Sequence, residues 1–389
     1  MSCCGKWGIG LSKLSIFAKH APRLQGSIKV GATTKLLLQN LHPNQIVVLK
    51  HQDLDEVVAQ ELIDCKVKAI INCASTMSGG YPTMGPLLLL QHEIPIWEVH
   101  TECFGYFEDS SRVRIFDDTL EMRGLNLECH LFTKEEWLSK HQEAQSKLSA
   151  LLDDFIENTL SHAQQEKDFV LNSLPPLELH TSCKDRHVLV VSRGSGYKRD
   201  LIALKAYIHD YSPILIGVDG GADALLANGY KPHLIIGDMD SVSDRALGCG
   251  SELIVHAYTN GYAPGHARMQ SLGLAAHILP SMGTSEDIAL LLAFEQEAEY
   301  IVTVGTHTHM IDFLEKGRPG MGSTLLVRMK IGAKLLDAKG VSTFYRKQRS
   351  WTTEVVVTFL LSGFFILLSF IQLRWGMQHV IKVVWEAIR

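Results

Sequence analysis

Residues 214–241 read ILIGVDGGADALLANGYKPHLIIGDMDS. Two apolar runs stop at an aspartate: Ile214 to Val218 gives way to Asp219-Gly220-Gly221, and Leu234 to Gly237 gives way to Asp238-Met239-Asp240-Ser241. Runs that are apolar without alternation form strands covered on both faces. Similar runs recur from residue 186 to about residue 345: HVLVV, PILIGV, HLIIGD, ELIVHAY, HILPSM and YIVTVG, most of them separated by helical or loop material. This predicts an α/β fold, a mainly parallel sheet with helices on both faces. In such sheets ligands bind beyond the carboxyl ends of the strands.

The residues expected at those ends have a common chemistry. On extended chain, residues i and i+2 point the same way, so Asp238 and Asp240 should face one point while Met239 turns into packing. With Asp219 they form a set of carboxylates that repel one another and call for a cation. Mg²⁺ suits them, because it takes oxygen ligands, keeps waters and brings a substrate phosphate. Gly220 and Gly221 remove side chains where a nucleotide could approach the backbone, and Arg193-Gly194-Ser195-Gly196 supplies a second loop of this kind. Ser241, Thr284 and Ser285 belong to the same candidate nucleotide-binding set. Asp287 opens the helix from Ile288 to Glu295, and either completes the acidic ring or serves as an ordinary N-terminal helix residue. Arg318 and the turn Gly320-Met321-Gly322-Ser323-Thr324 form either an anion site at a helix start or a plain cap and loop. His307 and His309 read as surface or hydrogen-bonded residues rather than as metal ligands.

Outward from this core, the 389 residues have material for two or three domains. A net charge of -5, from 37 basic and 42 acidic side chains, gives no positive field for a polyphosphate backbone, which argues against nucleic acid as a partner. Eight scattered cysteines lack a CxxC pair or zinc spacing, consistent with a reduced cytosolic body. Cys3-Cys4 reads as incidental rather than acylated.

Residues 1–130 suggest a small α/β domain, with strand runs at Gln45 to Leu49, Ala69 to Asn72 and Ile94 to Glu98. Between the first two, a helix over Asp53 to Cys65 has Asp53 as its expected N-cap, with Glu56 three residues on. Residues 131–180 lack Gly and Pro from Thr133 to Leu171 and read as a long amphipathic helix or helical pair, fitting a connector or a homodimer contact equally. Residues 181–350 form the parallel-sheet domain. From Val355 to Ile371 no charge occurs, Trp351 and Trp375 bracket the run, and Arg346, Lys347 and Arg349 precede it. This predicts a single membrane-spanning helix over 351–375 with the bulk of the chain cytoplasmic, and residues 376–389 suggest a short interfacial amphipathic tail.

The pairing of Asp219-Gly220-Gly221-Ala222 with Gly237-Asp238-Met239-Asp240-Ser241, joined by a helix ending at Asn228-Gly229, resembles the catalytic domain of thiamine pyrophosphokinases. The resemblance runs over roughly residues 186–310. It implies transfer of a diphosphate from ATP to thiamine, with Asp219, Asp238 and Asp240 as metal and phosphate residues and Asp287 where the family has its Thr-Asp motif. Three features depart from that family. Thr306 to Asp312 replace its Gly-Gly-Arg-x-Asp-His signature, Ala289 stands where a carboxylate is usual, and Arg318 to Tyr345 leave no β-rich domain to hold thiamine. The whole layout, with GVDGGAD, GDMDSVSD, GTSEDIALLLA, VGTHTHMIDFLEKGRPGMGST and one C-terminal apolar helix, resembles the SteA-like cytokinetic-ring proteins of Gram-positive bacteria. That resemblance implies a membrane-tethered protein at the division septum, working with a SteB-like membrane partner and other division proteins to promote cell separation.

Overall fold

In the computed structural model, residues 22–31, 37, 41–307, 309–315, 317–338 and 351–389 are described. The start-proximal cysteines and the cationic segment before the apolar helix lie outside the described residues. The first domain begins with four parallel strands, β1 (Leu24–Gly31), β2 (Ile46–Leu49), β3 (Ala69–Asn72) and β4 (Ile96–Val99). Helix α1 (Glu56–Asp64) links β2 to β3, and α2 (Gly85–Gln91) links β3 to β4. Three antiparallel strands follow, β5 (Arg112–Ile115), β6 (Thr119–Met122) and β7 (Leu125–Phe132). The order β1-β2-β3-β4-β7-β6-β5 closes on itself.

The small α/β domain expected here is thus corrected to a closed barrel. Its three expected strands are present, and four more complete the ring. Side-chain alternation explains the closure. Val48, Ile71, Trp97, Val113, Ile115 and Leu120 fill the interior, while Val47, Ile70 and Ile96 pack outward with Leu62 of α1 and Leu89 of α2. The cap of α1 is Asp55, which accepts from the Val58 amide at 2.7 Å. Asp53, the expected cap, is buried at φ +53° and accepts from the Ser78 amide and hydroxyl at 2.6 and 2.9 Å. It therefore pins the Gly/Pro-rich loop that leads into α2.

Helix α3 (Lys134–Leu171) is a single 38-residue helix capped by Thr133. Trp137 and Ala144 near its start enter the barrel-side core, and Val170 near its end enters the core of the second domain. It is one lever with an end in each domain.

The second domain is a seven-stranded sheet made of β8 (His187–Val191), β9 (Ile214–Val218), β10 (Leu234–Gly237), β11 (Glu252–Ala257), β12 (His277–Pro280), β13 (Tyr300–Val304) and β14 (Leu335–Asp337). Every pairing is parallel, in the order β12-β11-β10-β9-β8-β13-β14. The helices are α4 (Tyr197–Ala203), α5 (Lys205–Tyr211), α6 (Gly221–Ala227), α7 (Asp244–Leu247), α8 (Pro264–Ser271), α9 (Ser285–Glu295), α10 (Met310–Glu315) and α11 (Gly322–Ile331). Val190, Ile216, Ile236 and Ile254 pack with α9 and α11 on one face. On the other, Leu189 and Leu215 pack with α4 to α6, and Ile235 and Val255 with α7 and α8. Both faces are dry, which is why these strands show no alternation.

Helix α12 (Trp351–Ala387) contains a span, Val357–Ala387, long and apolar enough to cross a membrane, with mean hydropathy 1.8 and no part of it buried. Phe359, Phe370 and Trp375 are each more than 70% exposed, which is unlike the core helix of a soluble domain. The expected separate tail is part of this helix: Gly376 is a lone weak helix former and does not interrupt it.

Candidate functional site at the carboxyl ends of β9 and β10

β9 and β10 are neighbours, so the aspartates that end them are brought together by strand pairing alone. Asp219 takes a left-handed backbone, φ +48°, and its Oδ1 accepts from the Asp238 amide at 3.1 Å. This contact leaves no room at Gly237, where a methyl group would lie 1.8 Å from Asp219 Oδ1. Asp238 Oδ1 in turn accepts from the Asp240 amide at 3.0 Å.

The extended geometry expected for Asp238-Met239-Asp240 is corrected. Met239 is left-handed, φ +65°, and fully buried, so the chain turns there and Asp240 is exposed while Asp238 stays half-buried. Among the described residues, no group of three or more His, Cys, Asp or Glu side chains is gathered as a metal cage. The set fits an ion that draws most of its ligands from water and phosphate, as Mg²⁺ does with one or two carboxylates.

Three residues besides the strand-end aspartates hold this turn, and the sequence reading gave none of them a role. Arg268 of α8 donates to the carbonyls of Met239 at 2.5 Å and Val242 at 2.8 Å, and to Asp244 at 2.5 Å. Gly265, at the start of α8, packs so closely that a methyl group would lie 2.2 Å from the Asp238 carbonyl oxygen. Asp223 of α6 accepts from the Ser243 amide at 3.0 Å and from its hydroxyl. Only the Pro264-Gly265 pair carries a local signal, a proline at the first helical position. The Arg268 and Asp223 contacts span 20 to 29 residues of sequence and leave no periodic trace.

The other expected residues divide. Arg193 lies beside the acids: a methyl group at Gly220 would sit 2.1 Å from its Nε. Gly221 touches the β8 backbone, with 1.8 Å from such a methyl group to the Val191 carbonyl oxygen. Gly194 is buried against the loop after β13, 2.2 Å from the Gly305 oxygen by the same measure, and Ser192 Oγ donates to Gly305 O at 2.8 Å. The crest between β8 and β13 is therefore closed by backbone. Ser195 is exposed, with Oγ 3.5 Å from Glu56 of the barrel domain, and Ser241 is buried.

Asp287 sits within the junction of α9 and α11, and its side chain's hydrogen bonds all go to that junction. Thr284 and Asp287 form a reciprocal capping box, and Asp287 Oδ2 also accepts from Ser323 and Thr324 at 2.9 and 3.0 Å. Its Oδ1 is buried with no hydrogen-bond partner. Burial raises its pKa, against the lowering effect of the four donors. Glu166 of α3 accepts from the Ser323 amide, and burial, with the Asp287 charge adding to it, raises its pKa too. The Met321 amide goes to Thr159 at 3.1 Å. The helix start, read from sequence as either an anion site or a plain cap and loop, already serves carboxylates and a hydroxyl of the chain itself. Arg318 is exposed. Ser285 Oγ meets His256 Nδ1 at 3.2 Å, and burial lowers the His256 pKa against the raising influence of the Ser281 carbonyl, Asp238 and Asp287. His307 is buried against Glu286, its ring 2.7 Å from Oε1, as expected of a hydrogen-bonded histidine.

No curated protein sequence matches the chain. Among solved structures it is similar to thiamine pyrophosphokinase from Bacillus subtilis, at 23% identity over 39% of this chain and 58% of that one, TM-score 0.25. The enzyme of the same name from Geobacillus thermodenitrificans gives 22% identity, the same coverages and TM-score 0.25. A 3-isopropylmalate dehydratase from Methanocaldococcus jannaschii gives 10% identity over 32% of this chain and 97% of that one, TM-score 0.20. The chain spans little more than half the length of the two pyrophosphokinases. The family match is local and falls on the site: residues 206–257, from α5 through β9 and β10 to the end of β11, match the thiamin pyrophosphokinase catalytic domain.

Proposed function

We propose that this is a membrane-anchored cell-division protein whose parallel-sheet domain binds an ATP-type nucleotide with Mg²⁺. The observation that supports the binding most is the contact between Asp219 and Asp238 at the ends of paired strands, with Arg193 packed on the adjoining Gly220. Asp219, Asp238 and the exposed Asp240 would hold the ion, which neutralises phosphate charge. Arg193 would orient a phosphate oxygen, and Gly220, with no side chain, lets that guanidinium lie next to Asp219. Placement and charge stabilisation are what phosphoryl-type chemistry asks of a protein. The apolar surface of α12 supports the anchor, and the motif layout supports a role at the septum with a SteB-like partner.

The match over residues 206–257 favours a second reading, thiamine pyrophosphokinase activity. Incubating the full chain with thiamine, ATP and Mg²⁺ separates the two. Formation of AMP and thiamine diphosphate supports the enzyme, whereas Mg²⁺-dependent ATP binding without turnover supports the binding module. Absence of both would end each reading.

A further inference from the structure

The connection from β11 to α8 stands beside the aspartates and carries two exposed tyrosines. β10 and β11 pair with Gly237 opposite Val255, so His256 is level with Asp238 and Tyr258 emerges two residues farther out. Gly265 touches the Asp238 carbonyl, and Tyr262 is three residues before it. The Tyr262 backbone therefore lies within roughly 10 Å of that contact by chain reach. The loop is closed: the Tyr258 amide donates to Tyr262 O at 2.9 Å, the Gly261 amide to Tyr258 O at 2.8 Å, and the Tyr262 amide to Asn260 Oδ1 at 3.0 Å. Gly261 supplies the positive φ, +83°, that this closure needs. The two rings are parallel within 2°, with centroids 6.1 Å apart, yet are 63% and 64% exposed.

Rings that remain so exposed contribute little to the core, while a fixed aromatic face attracts planar π systems. We infer that Tyr258 and Tyr262 form a stacking platform for the planar heterocycle of a ligand whose diphosphate lies at Asp219 and Asp238. This rests on the diphosphate reading of those acids. A nucleoside diphosphate and thiamine diphosphate share the required chemistry, a flat ring tethered to a diphosphate.

The test uses the full chain in detergent and titrates Mg-pyrophosphate, Mg-ADP and Mg-thiamine diphosphate by calorimetry. At least one ring-bearing ligand binds more tightly than pyrophosphate, and which one identifies the ring. The double variant Y258A/Y262A weakens that ligand roughly ten- to hundredfold, the range for losing base stacking on aromatic side chains, and leaves pyrophosphate binding unchanged. Y258F/Y262F keeps the wild-type affinity, because phenylalanine stacks equally. Equal affinities for all three ligands in the wild type, or equal losses for ring-bearing ligand and pyrophosphate in the alanine variant, would overturn the platform. Failure of wild type to bind Mg-pyrophosphate would overturn the diphosphate reading, and the platform with it.

Discussion

Glu61 of the barrel domain and Arg193 of the sheet domain form an ion pair across the domain boundary, Oε1 to Nη1 3.8 Å. Tyr197 donates to the same Glu61 oxygen at 3.2 Å, and Lys198 pairs with Asp64 one helical turn on. One face of α1 is thus an acidic strip laid on the loop that carries Arg193, so the barrel fixes where the guanidinium can reach.

Replacing Glu61 removes the acceptor of the mostly buried Tyr197 hydroxyl as well as the ion pair. E61A should destabilise the chain by about 1–3 kcal/mol, the usual cost of leaving a buried donor unpaired, seen as a lower denaturant midpoint. R193A should weaken nucleotide binding while costing less stability.

Asp287 gives a pH signature. Its folded pKa is raised above the ordinary 3.8, so between these values the folded state holds a proton that the unfolded chain has released. Stability is therefore greater below that window and falls as pH rises through it. D287N lacks the titration, so the difference in unfolding free energy between wild type and D287N should shift against the wild type as pH is raised. D287A strips the acceptor from Ser323, Thr324 and the Thr284 amide and should cost about 2–4 kcal/mol at neutral pH, read by chemical denaturation.

Gly221 packs against backbone, which cannot rotate away. G221A should cost about 1–3 kcal/mol through overpacking. G229A changes a glycine at φ +82° with open space around it, and only backbone strain of about 1 kcal/mol is expected. Thermal melts of the two variants compare packing with conformation.

Helix α12 should hold the chain in the membrane fraction through alkaline carbonate washing. A chain ending before Trp351 should appear in the supernatant. Equal partition of both would argue against a spanning helix.

The parallel sheet was legible because both its faces are covered: strands such as Ile214–Val218 and Leu234–Gly237 are unbroken apolar runs, and the acids that end them mark the crest. The barrel was only half legible. Three of its parallel strands read as apolar runs, but β1 (LQGSIKVG) does not, Arg112-Val113-Arg114-Ile115 and Thr119-Leu120-Glu121-Met122 are four-residue strands with a charged or polar outer face, and closure depends on the pairing of Leu24–Ser27 with Arg112–Ile115, about ninety residues apart. At the site, spacing located Asp219 and Asp238 together. It offered Asp287 as an N-terminal helix residue, but could not foresee the Ser323 and Thr324 contacts that hold it in a helix junction, nor the left-handed Met239, which turns Asp240 outward, since both are set by packing from α11 and α8.

The most direct test is calorimetric titration of ATP into the full chain and its D238N variant, with and without Mg²⁺. The wild type should bind ATP in a Mg²⁺-dependent way, and D238N should weaken that binding at least tenfold while melting temperature is retained. Binding that is indifferent to both Mg²⁺ and D238N, or no binding by the folded wild type, would contradict the proposed site.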